Sequence, residues 1–253
     1  MLKMCIAALS RGEHLSEEQS RRAMADIMAG RATDAQIAGF LVALRLNGET
    51  VEEITGCVKA MRAAAEGIDV GDLPVVDTCG TGGDDKGTFN ISTASALVTA
   101  GAGVPVAKHG NRSVSSSSGS ADVLETLGVN IEASPRTVEK CIAEVGLGFL
   151  YAPLLHRAMK HAIGPRRELG IRTVFNILGP LTNPAGAKRQ VLGIFSEDLV
   201  PKMAGVLHKL GAERALVVNS RDGMDELSTC AEAVVAEVSP EGVVERVIDP
   251  ADL

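Results

Sequence analysis

The segment DTCGTGGDDKGTFNIST, residues 77–93, sets four glycines between a short apolar strand and a helix expected to begin near Ile91. Thr81, Thr88, Asn90, Ser92 and Thr93 add side-chain donors to the same stretch. Glycines let backbone amides close on an anion, and a helix amino terminus adds a favourable partial charge, so the pattern reads as a phosphate cradle. It carries neither the lysine of a Walker A loop nor the spacing of a dinucleotide fingerprint. A turn that only reverses the chain needs one or two glycines and none of these hydroxyls. Cys79, with no His or Lys pairing visible in the sequence, reads as a small packing residue.

A second cluster, VAKHGNRSVSSSSGSADVLE at 106–125, again follows a strand and precedes a helix, with Lys108, His109 and Arg112 placed in a serine-rich loop. Ligands of open α/β sheets bind at the carboxyl ends of strands, which favours function for Lys108 and Arg112 over solvated loop charges. Two anion sites on one sheet suggest a polyphosphate substrate. For His109 the backbone is expected to matter more than the imidazole. On their own, Asp225 and Glu226 read as an exposed acidic turn, and His156 and His161 as helix-surface or core residues.

The elements that must position these residues fall into two regions. Capping boxes at Ser16/Gln19, Thr33/Gln36 and Thr50/Glu53 each open a helix. Behind the second, Ile37, Phe40, Leu41 and Leu44 lie on one face, and behind the third Ile54, Cys57, Val58 and Met61 do the same. Residues 1–70 therefore read as a small antiparallel helical domain. From Leu73 onward the chain reads as an α/β domain with a mostly parallel sheet, spanning 71–253. Strands are predicted at Val75–Val76, 104–107, 149–151, 191–194 and 216–218, with a hairpin over 233–238 and 243–248. Helices are predicted over 93–101, 122–127, from Ser134 with Pro135 at its first position, and over 200–210. The Pro, Gly and Asn of residues 164–186 interrupt the alternation, and part of 160–186 is expected to cross back to the helical domain.

Composition narrows the function. With 25 basic against 32 acidic side chains the 253-residue chain carries a formal charge of −7, which speaks against a nucleic-acid scaffold. No Trp, one Tyr and five Phe leave little with which to stack bases. The five scattered cysteines show no metal-ligand or CxxC spacing and fit a reduced compartment. The amino terminus has no signal-peptide pattern and no apolar run reaches membrane-span length, so a cytoplasmic protein without membrane partners is expected.

GTGGD at 80–84, TFNIST at 88–93, KHGNR at 108–112, SGSADVLE at 118–125, GPLTNPAG at 179–186 and DGMDEL at 222–227 together resemble the anthranilate phosphoribosyltransferase family along nearly the whole chain. The resemblance implies a nucleoside phosphorylase-like fold, a small helical domain hinged to a larger α/β domain, and a homodimer formed through the helical domain. It implies transfer of the phosphoribosyl group of phosphoribosyl pyrophosphate (PRPP) to the amine of anthranilate, toward tryptophan. PRPP would be surrounded by Gly80, Thr81, Gly82, Gly83, Asp84, Thr88, Asn90, Ile91, Ser92, Thr93, Lys108 and Ser120. Mg2+ would be held by Ser92, Asp225 and Glu226, and the motif match thereby replaces the acidic-turn reading. Anthranilate would lie between the domains, contacted by Gly80, Asn111, His156, Arg166 and Gly179, with the Arg166 fork on its carboxylate. The chain departs from the family's usual pattern at Ser117, where lysine is common, and relatives continue past the position of Leu253, so the resemblance is to a truncated form whose apolar sheet edge would be exposed. A pyrimidine nucleoside phosphorylase and a non-catalytic nucleic-acid-binding relative are the competing readings.

Overall fold

A computed structural model describes residues 1–84, 86–113 and 118–252. In chain order the helices and strands are α1 (Leu2–Leu9), α2 (Glu17–Met28), α3 (Asp34–Asn47), α4 (Val51–Ala64), β1 (Val76–Gly80), α5 (Ile91–Gly101), β2 (Val106–Gly110), α6 (Ser120–Thr126), α7 (Pro135–Val145), β3 (Leu147–Tyr151) and α8 (Ala152–Leu155). They continue with α9 (Lys160–Leu169), α10 (Phe175–Leu178), β4 (Arg189–Gly193), α11 (Val200–Lys209), β5 (Arg214–Ser220), β6 (Ala233–Ser239) and β7 (Gly242–Ile248), with short 3-10 turns between some of them. The chain divides into two compact units. One comprises Met1–Glu66 and His156–Thr182, the other Gly67–Leu155 and Asn183–Leu253. No helix among the described residues is long and apolar enough to cross a membrane.

In the helical unit all three capping boxes form in both directions, each cap oxygen accepting an amide three residues on and each Gln or Glu reaching back. The third does more than cap. Glu53 is fully buried and accepts hydrogen bonds from Thr50 N and Leu15 N, both at 2.8 Å, so one carboxylate starts α4 and also anchors the segment before α2. The apolar faces predicted for α3 and α4 are the ones buried: Ile37, Phe40, Leu41, Leu44, Ile54, Cys57, Val58 and Met61. The stretch 164–186, whose Pro, Gly and Asn interrupt the alternation, contains the end of α9 and all of α10, and His156–Thr182 groups with the helical unit. Pro165 sits inside α9 and lacks the amide for one ladder bond, but it is buried, and α9 is held by packing against α3 and α2.

The second unit is built on a mixed seven-stranded sheet in the order β3-β2-β1-β4-β5-β6-β7. The pairs from β3 through β5 are parallel, while β6 and β7 join antiparallel. Chain order reverses direction beside β1, between β2 on one side and β4 on the other, and this switch point opens a crevice at the strand carboxyl ends. Two strands run further toward that crevice than apolar runs alone indicate. β1 continues through Asp77, Thr78 and Cys79 to Gly80, and β2 includes Lys108 and His109, which the sequence placed in a loop. The polar residues are tolerated there because they find partners: Asp77 Oδ1 accepts from the His109 backbone amide at 3.1 Å, Lys108 Nζ donates to Thr78 O at 2.6 Å, and Asn183 Nδ2 donates to the backbone Ala107 O at 2.8 Å. At the far edge β7 leaves Val244 and Val247 exposed.

Gly56 in α4 provides a test of the helical unit. A β-carbon there would lie 2.2 Å from Glu17 O and 2.8 Å from Arg21 N, both backbone atoms of α2. Helix propensity alone favours Gly→Ala by about 1 kcal/mol. Forcing two closely seated helices apart costs about 1–3 kcal/mol or more and should win. Gly56→Ala is therefore expected to lower the thermal midpoint by several degrees, and a raised midpoint would refute the close α2–α4 approach.

Candidate active site

The glycine loop leaves β1 at Gly80, and Gly82 and Gly83 both have positive φ, the conformation that glycine alone adopts without strain. Thr81 N donates to Gly193 O at 2.9 Å and Thr81 Oγ1 accepts from Phe195 N at 3.0 Å, which ties the loop to the end of β4. The loop ends where the sequence expected: Asn90 caps α5, its Oδ1 accepting Thr93 N at 3.1 Å, and the helix starts at Ile91. Thr93 Oγ1 is buried there without a partner, whereas Thr88 is exposed.

Lys108 is the electrostatic centre. It is only 2% exposed, and its Nζ donates to Thr78 O at 2.6 Å and to Ser92 Oγ at 3.1 Å. Burial lowers its pKa, and Asp77 and Glu226 are among the acids that oppose this. Asp77 is completely buried; burial pushes its carboxyl up while Lys108 pulls it down. Around this pair lie three further carboxyl groups. Asp225 Oδ2 accepts from Gly82 N at 2.8 Å. Burial raises the Asp225 pKa, the Gly82 amide lowers it, and the neighbouring Asp84 raises it again. Glu226 is pushed up to about 7, by burial first and by Asp225 second, with Lys108 pulling the other way. Asp84 keeps one buried oxygen, Oδ2, without a hydrogen-bond partner.

The structure thus brings Gly80, Thr81, Gly82, Gly83, Asp84, Asn90, Ile91, Ser92, Thr93, Lys108, Asp225 and Glu226 to the carboxyl ends of β1, β2, β4 and β5. Ser120 opens α6, the helix after β2. Among the described residues no three His, Cys, Asp or Glu side chains form a ready metal cage. Magnesium takes hard oxygens and completes its shell with water and substrate phosphates. Ser92 Oγ, Asp225 and Glu226 are all oxygen donors, and carboxyls held above their ordinary pKa would be relieved by a divalent charge. The fit is therefore good.

The other predicted contacts divide between the units. Asn111, with Gly80, belongs to the α/β unit, and its Oδ1 accepts from Arg112 N at 2.7 Å. Arg112, expected to serve an anion, is instead clamped by Asp122 at 2.9 Å and Glu125 at 2.8 Å, so its charge is neutralised locally. His156, Arg166 and Gly179 belong to the helical unit. Arg166 lies 5.0 Å from the centroid of the Phe175 ring, and burial lowers its pKa with no acid among the causes. Gly179 opens a 3-10 turn whose Leu181 O accepts from Arg62 Nε at 2.8 Å. Ser117 lies outside the described residues.

Sequence reasoning missed Asp77, Asn183 and Gly193. Asp77 begins the glycine motif and could have been weighed as a charge adjacent to a strand. Asn183 lies in the GPLTNPAG motif but was given no role, and Gly193 carries no local signal, because their partners Ala107 and Asp225 are distant in the chain.

Comparison with known proteins follows the same division. The family described as "Glycosyl transferase family, helical bundle domain" matches residues 3–65, and "Glycosyl transferase family, a/b domain" matches residues 72–253. An anthranilate phosphoribosyltransferase of Acetivibrio thermocellus is 59% identical over 244 residues, covering 96% of this chain and 71% of that protein. The crystal structure of anthranilate phosphoribosyltransferase from Thermus thermophilus superposes with a TM-score of 0.92 at 49% identity, covering 98% of this chain and 74% of the other. The Saccharomyces cerevisiae enzyme in complex with PRPP and Mg gives a TM-score of 0.87 at 30% identity, covering 97% and 72%.

His156 offers a measurable consequence. Burial lowers its pKa to about 4, so the folded state prefers the neutral ring. A histidine depressed below its unfolded value of about 6.5 binds its proton more readily when unfolded, so its contribution is intact above pH 6.5 and lost as pH falls toward 4. The loss should be of order 3 kcal/mol at the acid end. The His156 Hε1 resonance should therefore stay nearly fixed between pH 7.5 and 6 and move only below that, and a midpoint near 6.5 would contradict the burial.

Proposed function

The chain belongs to the anthranilate phosphoribosyltransferase family of glycosyl transferases, and on that premise we propose how its own residues carry out the transfer. The reaction moves the phosphoribosyl group of PRPP onto the amine of anthranilate and releases pyrophosphate, a step of tryptophan biosynthesis. The observation that carries the residue assignment is the convergence of the glycine-loop amides, Lys108 and the Asp225–Glu226 pair at one end of one sheet.

PRPP binds at this end, with its phosphates on the amides of Gly80, Thr81, Gly82, Gly83 and the amino terminus of α5, and with Asp84, Thr88, Asn90, Ile91, Ser92, Thr93, Lys108 and Ser120 around it. Ser92, Asp225 and Glu226 hold Mg2+, which when bound supplies neutralisation of the pyrophosphate charge. Lys108 stabilises the same leaving group from inside the sheet. The bond from the anomeric carbon to the pyrophosphate oxygen breaks through an oxocarbenium-like transition state, the bond to the anthranilate nitrogen forms, and the amine then gives up a proton. An aromatic amine is neutral and nucleophilic near pH 7, so no strong general base is required, and orientation of the two substrates supplies much of the rate. Gly80, Asn111, His156, Arg166 and Gly179 contact anthranilate, with Arg166, prepared by its stacking on Phe175, taking the carboxylate.

We also assign the enzyme to the cytoplasm as a homodimer formed through the helical unit. Free cysteines support a reduced compartment. Met4 and Leu46, 71% and 80% exposed on that unit, support a covered face. Neither competing reading gains support, since the relatives at hand are anthranilate transferases and the chain carries −7.

Anthranilate fluorescence should fall when the chain is mixed with PRPP and Mg2+ and persist without Mg2+; persistence in both cases with folded protein would overturn the assignment. Lys108→Ala, or Asp225→Asn with Glu226→Gln, is expected to impair PRPP use at least tenfold. Arg166→Ala should raise the anthranilate KM about tenfold to a hundredfold, the worth of a charge-assisted pair of about 1.5–3 kcal/mol. Equal effects on both substrates from all three changes would defeat this division of roles.

A further inference from the structure

Gly80 and Gly193 face each other as register partners at the carboxyl ends of β1 and β4. Neither is among the glycines with positive φ, so backbone conformation does not explain them. A glycine in a strand forgoes about 0.5–1 kcal/mol relative to alanine, which calls for a compensating reason. The space above them supplies it. A β-carbon on Gly193 would lie 1.6 Å from the carbonyl oxygen of Asp225 and 2.7 Å from its carbonyl carbon, and one on Gly80 would lie 2.7 Å from Asp225 Oδ2. At Gly80 a side-chain oxygen stands in the way; at Gly193 it is the backbone of the acidic turn.

The two missing side chains form a notch across the β1–β4 pair, and Asp225 sits in it. The turn is held from its other side by the end of β5: Ser220 Oγ donates to Glu226 O at 2.6 Å, Ser220 N donates to Met224 O at 3.0 Å, and Asn219 Nδ2, which donates to Ile194 O at 2.7 Å beside β4, also reaches Met224 O at 3.4 Å. Gly193 also accepts Thr81 N, so one residue sets both the phosphate loop and the acidic turn against the same strand end. We propose that Gly193 is a positioning residue for the divalent-cation site, its absent side chain fixing the height at which Asp225 and Glu226 meet the cation and the pyrophosphate it neutralises. The inference rests on the Mg2+ assignment above. Gly193 acts through Asp225 and contacts no substrate.

The test is Gly193→Ala beside Gly101→Ala, a control whose β-carbon would meet nothing within 4 Å. Binding of Mn2+ as the probe is followed by water-proton relaxation with PRPP present and anthranilate absent, and KM values are measured separately with Mg2+. Gly193→Ala should weaken Mn2+ binding at least tenfold and leave the anthranilate KM within twofold, while Gly101→Ala behaves as the parent. Folded Gly193→Ala with parental Mn2+ affinity overturns the inference. If Gly193→Ala does not fold, Gly80→Ala decides, because the carboxylate end can swing aside without breaking the fold; since Gly80 also borders PRPP, Mn2+ and PRPP affinities are measured separately, a tenfold Mn2+ loss at parental PRPP affinity supports the notch, and parental Mn2+ affinity or a Mn2+ loss matched by an equal PRPP loss overturns it. Absence of Mn2+ binding by the parent chain would sink the magnesium assignment and this inference with it, an outcome distinct from failure in the variants alone.

Discussion

A lysine amine inside a sheet is among the more expensive things a fold can hold, and the α/β unit is arranged around satisfying Lys108 where little water reaches it. Burying its charged form costs several kcal/mol unless donors and counter-charges compensate. Thr78 O and Ser92 Oγ take its hydrogen bonds, and Asp77 and Glu226 oppose the effect of burial on its pKa. Asp77 in turn depends on the β2 backbone through His109 N, so the lysine, its carboxyl partner and the pairing of β1 with β2 support one another.

The same end of the sheet carries a surplus of carboxyl groups. Burial first, and the neighbouring carboxyl groups after it, hold Asp225 and Glu226 above their ordinary pKa, with Lys108 opposing the shift of Glu226. In a domain built for stability alone, such crowding would be replaced by apolar residues. Under the proposed assignment, this crowding is what a divalent cation and a polyphosphate completing its coordination would relieve. The glycine notch of β1 and β4 adds the geometric condition, because carboxylates tune a cation only when their height and spacing are set by rigid neighbours.

The helical unit has the complementary problem. Arg62 and Arg166 are both pulled down in pKa by burial with no acid among the causes. Arg62 supports the turn that begins at Gly179 through Leu181 O, and Arg166 lies over Phe175. A guanidinium in that state is prepared for an anionic group, and a stacked, pre-oriented fork loses less freedom on binding a carboxylate than a mobile one does.

Much of this was legible in the chain itself. The capping boxes, the helical faces of α3 and α4, the order of the parallel strands' apolar runs, and the glycine and KHGNR motifs are local patterns, and local chemistry determines them: a cap bonds an amide three residues away, and a buried face repeats every turn. What the tertiary structure alone decided involves partners far apart in sequence. Glu53 anchors Leu15, Arg112 is neutralised by Glu125, Pro165 survives inside a helix because neighbouring helices hold it, and Lys108 and His109 belong to a strand because Thr78 O and Ser92 Oγ take the ammonium's bonds and Asp77 accepts the His109 amide. Gly193 is the clearest instance. Its residue type is visible in the sequence, but its meaning comes from the backbone of Asp225 lying where a side chain would be, and excluded volume between segments joined only by folding has no local signature.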